Sequence, residues 1–387
     1  MRPRLQVDFS ARDLVTYLGG EPEVDDGREW PPARSEACLM TSGRASLYVL
    51  LKSLGLRSGS RIGVPLFVCD AVFEAIVRAG HRPVFLDVDP ETMVLSASSY
   101  LRDRSIDALV AVHIFGNPVD VQPLMSDRPL PVIEDCAHAL FSEIRGTPVG
   151  LLGVGSIYSF GLGKPISIGQ LGAAVVPPGT FADAFWSTVG QMRQESRVAS
   201  VYRGFRSFAI STLYRRPWYG MFSYELGRQF ERSLDPMSHE VGAYKISPAR
   251  LMSLVRSKMH TYRAALPRQR EGWRALSDAV KDGSSDNLVP QATPKGAVSD
   301  NWLFAVRCAS IVQRDALADL LLRRGVDSVK MYDQVPKIAR SVYGYLGGAP
   351  DAERLCQTVL ALSVPARGAA SDRSFPDLVY ESVRALR

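Results

Sequence analysis

Ala108-Leu109-Val110-Ala111-Val112-His113-Ile114 and, further on, Pro131-Val132-Ile133-Glu134-Asp135 are short apolar runs that lead into polar residues. An almost unbroken apolar run of this length is what a strand needs when both its faces are buried. Four more runs share the pattern: Ile62-Gly63-Val64-Pro65-Leu66-Phe67, Pro83-Val84-Phe85-Leu86-Asp87-Val88, Ser156-Ile157-Tyr158-Ser159-Phe160 and Gly172-Ala173-Ala174-Val175-Val176. Helical periodicity separates them, as from Ala71 to Ala79. Strands alternating with helices predict βαβ units and a mostly parallel sheet covered on both faces. Asp87, His113, Asp135 and Ser159 gather at the strand ends, where an open α/β sheet keeps its ligand crevice.

Beyond this region, Leu251 to Arg274 reads as a long helix. Ser299 to Val306 reads as a strand, Gln313 to Arg324 as a helix, and the chain ends in another helix. The expected organisation is a large α/β domain over residues 1–255 and a smaller α+β domain over 256–387. With 387 residues and 46% hydrophobic content, two or three domains are expected, and a disordered or disulfide-stapled chain is excluded. The five cysteines have no C-x-x-C spacing, which points to a reducing compartment and no metal site. No apolar signal core opens the sequence. The 18-residue uncharged stretch Gly146 to Gly163 holds six glycines and a proline, so it reads as strands and turns and not as a membrane span. The expectation is a cytoplasmic protein.

Of 46 basic residues only eight are lysine, so each lysine carries information. Gly161-Leu162-Gly163-Lys164 is not a Walker loop, because Tyr158 and Pro165 stand where that motif needs Gly and Ser or Thr. Ile166 breaks the dinucleotide fingerprint, and no nucleic-acid motif accompanies the net charge of +6. Three elements remain. Thr41-Ser42-Gly43-Arg44-Ala45-Ser46 is a small-residue turn entering a helix, suited to a phosphate. Glu134-Asp135-Cys136-Ala137-His138 ends a buried strand, and Ser159-Phe160-Gly161-Leu162-Gly163-Lys164 places a lysine in a tight turn. A phosphate cradle, a strand-end carboxylate and a desolvated lysine suit pyridoxal phosphate, whose ring works as an electron sink when its nitrogen stays protonated.

These segments resemble the sugar aminotransferases of the DegT/DnrJ/EryC1/StrS family, which have the aspartate-aminotransferase fold (PLP fold type I). The resemblance also takes in Val112-His113-Ile114-Phe115-Gly116, Tyr244-Lys245-Ile246-Ser247, Ala352-Glu353-Arg354 and Leu362-Ser363-Val364-Pro365. It implies a pyridoxal 5'-phosphate enzyme, passing through pyridoxamine phosphate, that moves an amino group from an amino acid such as glutamate to a nucleotide-linked keto sugar. By position, Lys164 is the Schiff-base lysine and proton shuttle, Asp135 pairs with the pyridine nitrogen, and His138 lies near the 3-hydroxyl. Ser159 and the turn Gly43, Arg44 and Ala45 hold the phosphate. Lys245 reaches the phosphate of the neighbouring subunit, so the resemblance implies a homodimer with shared active sites. Cys69 stands where an aromatic usually stacks on the ring, with Phe67 as the substitute, and Met331 stands where a sugar-contacting His is common.

Local sequence leaves other readings open. Lys164 alone reads as a loop lysine, Asp135 as a helix cap, His138 as a core histidine and Lys245 as a surface lysine. A lyase or amino-acid enzyme on the same fold, or a non-catalytic relative, is the alternative for the whole chain. The stretch 191–233 carries eight Arg against three Glu and nine of the 34 aromatic residues. It reads as an insertion or lid packed across the dimer interface. Binding of a nucleotide, or peripheral contact with an anionic membrane, are the alternatives there.

Overall fold

The computed structural model describes residues 1–5, 7–19, 30–31, 35–225, 244–283, 288–364 and 374–386, so residues 226–233 of the basic segment and Pro365 lie outside the described residues. Along the chain come β1 (Glu36–Met40), β2 (Arg61–Pro65), β3 (Arg82–Leu86), β4 (Ala108–Val112) and β5 (Val132–Asp135). A short hairpin, β6 (Glu143–Ile144) and β7 (Thr147–Pro148), precedes β8 (Gly155–Phe160) and β9 (Leu171–Val176). Apart from the hairpin these form one seven-stranded sheet in the order β1-β9-β8-β5-β4-β2-β3. The pairs β3–β2, β2–β4, β4–β5 and β5–β8 are parallel, and β9 runs antiparallel to both its neighbours.

Both sheet faces are buried, as the apolar runs require. Along β9, Ala174 and Val176 pack into one core with α2 (Gly43–Ser53) and α3 (Ala71–Arg78). Leu171, Ala173 and Val175 point the other way, into a second core with α1 (Ala11–Leu18) and the first half of a long helix. This is the two-residue period of a strand sorting side chains to opposite faces. α4 (Ala97–Arg102), α5 (Gln122–Asp127), α6 (Thr180–Gly190) and α7 (Arg197–Leu213) complete the helices before the long one, α8 (Leu251–Gly283).

α8 continues nine residues beyond Arg274, where the sequence reading stops, and it runs through Pro267. Its front half joins the sheet core through Leu254, Met259 and Leu266. Its rear half joins a third core through Leu276 and Val280. That third core backs a four-stranded antiparallel sheet, β10 (Leu288–Pro290), β12 (Leu303–Cys308), β13 (Val329–Lys330) and β14 (Val359–Ser363), ordered β10-β12-β14-β13; β11 (Ala297–Val298) instead pairs with β6. α9 (Ile311–Arg323), α10 (Val335–Val342), α11 (Pro350–Thr358) and α12 (Ser374–Arg384) accompany this sheet. The expected strand over Ser299–Val306 begins only at Leu303. Asn301 takes a left-handed φ of 53°, and Asp300 turns its carboxylate to the Phe141 N–H, so Ser299 to Trp302 form a docking loop.

Candidate active site

The carboxyl ends of β2, β4, β5 and β8 meet at one cleft, where an open α/β sheet binds its ligand. Gly43, Arg44, Asp135, His138, Ser159 and Lys164 all line it. Six of the nine positions singled out from sequence are therefore brought together.

The cradle begins at Ser42, whose extended backbone and side-chain oxygen cap α2 by accepting the Ala45 N–H at 3.1 Å. The earlier N–H groups of the helix have no intrahelical partner, and their residues Gly43 and Arg44 line the cleft. Two glycines make this approach possible. A Cβ on Gly43 would lie 2.8 Å from the Ser159 Cβ, and one on Gly172 would lie 2.4 Å from the Gly43 nitrogen. The Gly169-Gln170-Leu171-Gly172 stretch thus has a mechanical reason for its last residue: β9 passes under the start of α2 with no room for a side chain.

Asp135 ends β5, is buried, and accepts the Ala137 N–H at 2.9 Å. Burial raises its carboxyl pKa, and Lys164 offsets part of that rise. Lys164 follows β8 in a turn closed by its N–H to the Gly161 carbonyl at 3.2 Å. Its Nζ lies 2.8 Å from His138 Nε2. His138 Nδ1 accepts the Phe115 N–H at 3.3 Å, which leaves the ring proton on Nε2. Nε2 then faces Lys164 as a donor, which favours the uncharged form of that amine over the ammonium. Burial works the same way, pulling the pKa of Lys164 down and that of His138 well down.

Three predicted positions stand outside the cleft lining. Ala45 spends its N–H on the Ser42 cap. Phe67 does not stack over the cleft: it is buried edge-on against Phe115 and Tyr332, with ring centroids 6.0 and 5.1 Å away. Lys245 lies beside Thr41, to which its backbone bonds in both directions. The wall expected of Phe67 is made instead by Cys69 and by Tyr332, a residue from the C-terminal half held at a left-handed φ of 59°. Trp302 adds a ring 4.3 Å from that of His138. Tyr332 and Trp302 gave no sequence signal, because each is one aromatic in a segment remote from the strand ends. The left-handed backbone of Tyr332 shows only in three dimensions.

His113 has a structural position. Its Nε2 donates to Glu134 at 3.1 Å and its Nδ1 accepts the Val119 N–H at 2.9 Å, with both side chains fully buried. Glu134 also accepts the N–H groups of Gly150, Leu152 and Gly153.

Residues 34–206, which contain the cradle, Asp135, Ser159 and Lys164, match the sequence profile of the DegT/DnrJ/EryC1/StrS aminotransferase family. Over these residues the chain is similar to that family. GDP-perosamine synthase of Vibrio cholerae is 33% identical over 36% of this chain and 39% of its own length. The dTDP-4-dehydro-2,3,6-trideoxy-D-glucose 4-aminotransferase of Saccharopolyspora spinosa is 24% identical over 96% of this chain and 87% of its own. The stronger identity of the perosamine synthase thus spans about two fifths of that relative. Among solved structures, a sugar aminotransferase from Micromonospora echinospora superposes with a TM-score of 0.69 at 19% identity, each chain covered in full. That likeness gives the fold, PLP fold type I.

The family implies pyridoxal phosphate, and the cleft has the chemistry for it. The start of α2 and Ser159 line the cleft together, and the two groups the cofactor needs most, a buried amine of lowered pKa and a buried carboxylate, follow adjacent strands.

Proposed function

We propose that this chain is a pyridoxal phosphate-dependent aminotransferase. It takes an amino group from an amino acid, glutamate first among the candidates, and delivers it to a keto sugar carried on a nucleotide. The observation that carries the reading is the convergence of Lys164, Asp135, Ser159 and the α2 N-terminus on one cleft. Names of relatives add weight to the sugar, since the Vibrio and Saccharopolyspora proteins are both named for acting on nucleotide-linked sugars.

Bound there, pyridoxal phosphate would supply an electron sink for the carbon that loses its proton. The chain's own residues do the rest. Ser159 and the first N–H groups of α2 hold the phosphate dianion, helped by the positive end of the helix. Asp135 sets a buried negative charge where a protonated ring nitrogen is stabilised. Lys164, its amine pKa lowered by burial, takes a proton from the donor carbon and returns one to the acceptor carbon. Tyr332 and Trp302 exclude water on the side of the C-terminal half. In this reading residues 1–255 bind the cofactor in a cytoplasmic homodimer, residues 256–387 close over it, and Lys245 serves the partner's phosphate.

The decisive experiment combines cofactor capture with a half-reaction. Purified protein given pyridoxal phosphate should gain visible absorbance. Borohydride reduction should then fix the cofactor mass on the Lys164 peptide, and Lys164→Ala should show neither effect. Glutamate should bleach the absorbance of the wild type, and a panel of nucleotide-linked keto sugars should restore it. A protein that takes up no cofactor ends the proposal; uptake without bleaching by any amino acid ends the aminotransferase part.

A further inference from the structure

α7 is amphipathic the wrong way round for a helix on a water-facing surface. Its inward face is small and polar: Ser200, Arg203, Gly204 and Ser211 are buried. Hydrogen bonds hold it alongside half-buried Phe208, which packs against the second core. Arg203 donates to Tyr17 Oη at 3.0 Å and ion-pairs with Glu195, and Ser211 Oγ accepts the Phe9 N–H at 3.0 Å. The outward stripe is apolar, at the helical spacing Val198, Tyr202, Phe205, Ala209 and Leu213. Val198 is 80% exposed, Tyr202 69% and Phe205 51%.

A turn of π-helix, Tyr219–Ser223, extends the same exposure. Buried Tyr219 pins it by donating to Asp327 at 2.5 Å, and Ser223 bonds the Leu213 carbonyl at 2.8 Å. Trp218, Met221 and Phe222 are left outside, the last two 62% and 57% exposed. A turn this firmly anchored presents three large apolar side chains by construction. Contiguous apolar exposure of this kind marks an interaction surface.

The charge around it names the occupant. Arg193, Arg197, Arg206 and Arg216 are exposed and form no ion pair among the described residues. The two acids between 191 and 225 are Glu195, committed to buried Arg203, and Glu225. A second copy docked about a two-fold axis would set these arginines against one another with few carboxylates to meet them. Exposed Arg, Trp and Tyr beside an apolar helical stripe match the in-plane helices of membrane surfaces. No helix among the described residues is long and apolar enough to cross a bilayer. We propose that α7 and the Tyr219–Ser223 turn form a peripheral membrane-docking face for anionic lipid. This role is independent of the chemistry at Lys164.

The test is cosedimentation of the full-length protein with vesicles of phosphatidylcholine alone and of equal parts phosphatidylcholine and phosphatidylglycerol. Wild type should pellet with the anionic vesicles, not the neutral ones, and added salt should weaken the binding. Arg206→Glu with Arg216→Glu, and separately Tyr202→Ser with Phe205→Ser and Phe222→Ser, should each weaken it by at least about tenfold. Circular dichroism checks that each variant folds, and the arginine pair carries the test if the apolar triple does not. Light scattering should give an unchanged oligomeric mass. The proposal is overturned if wild type stays in the supernatant, if binding survives the arginine reversals, or if the substitutions dissociate the assembly instead. That last result would assign the face to a second copy.

Discussion

Glu134 and Asp135 are neighbours at the end of β5 with opposite tasks, set by which way each points. Asp135 faces the cleft. Glu134 faces the fold, where it meets His113 and three backbone N–H groups. Burial pushes the Glu134 carboxyl up, but the His113 hydrogen bond and the N–H groups of Gly150 and Gly153 outweigh it, so its pKa is lowered. A depressed carboxyl pKa stabilises the fold above the usual carboxylate range, and that contribution is lost as pH falls through the lowered value. Glu134→Gln should cost roughly 2–4 kcal/mol at neutral pH. It should also flatten the acid limb of stability, as urea unfolding across a pH series would read. Both acids were visible as one motif, but their separation into site and scaffold was not. Which face a strand residue takes at the last step before a turn depends on packing, and one sequence does not record it.

At the scale of elements, the cradle rests on two chains passing at contact distance. Ser42→Ala should cost about 1 kcal/mol by releasing the cap of α2, and should weaken pyridoxal phosphate binding in a fluorescence titration. Gly172→Ala should do more harm to cofactor affinity than Ser42→Ala, because its Cβ would meet backbone at 2.4 Å and backbone cannot rotate away. Equal affinities for the two variants would argue against this packing account. The buried strands were legible because continuous apolar runs of β-branched residues leave few other readings. β1 was not, since Glu36-Ala37-Cys38-Leu39-Met40 lacks β-branched residues and owes its extended form to pairing with β9. α8 outran its reading because packing of Leu276 and Val280 carries the helix past the point where the local pattern weakens.

For the whole molecule, the joint between the two sheets combines apolar packing, in which Leu303, Tyr345 and Leu355 share the core of the large sheet, with buried hydrogen bonds. Asp87 caps α11 by accepting the Ala352 N–H at 2.8 Å, and Asn117 Nδ2 donates to the Ala292 carbonyl at 2.7 Å. Asp300 is a second buried acid of this joint. Burial raises its carboxyl to about 6, against the pull of the Phe141 N–H and Arg270. The folded protein therefore holds that proton more tightly than the unfolded chain, so this group's contribution is greatest in acid and falls away as pH climbs to about 6. The difference in unfolding free energy between wild type and Asp300→Asn should change across that window and be constant above it. A difference independent of pH would show that Asp300 does not titrate there. This is also where sequence reading ran out for the site. Lys164, Asp135 and Ser159 sit on strand ends that one sheet brings together. Tyr332 and Trp302 arrive only when the second sheet docks, a long-range event with no local pattern.

The hydrogen bond between Lys164 and His138 also has a consequence for chemical labelling. Surface lysines are protonated at neutral pH and react slowly with acylating reagents, whereas an amine whose pKa is lowered by burial is uncharged more of the time and reacts faster. In a chain with eight lysines, a brief, substoichiometric pulse of a small acylating reagent on cofactor-free protein should mark position 164 ahead of the other seven. Prior addition of pyridoxal phosphate should erase that preference. Peptide mass spectrometry would then report occupancy of the cleft without any substrate in hand.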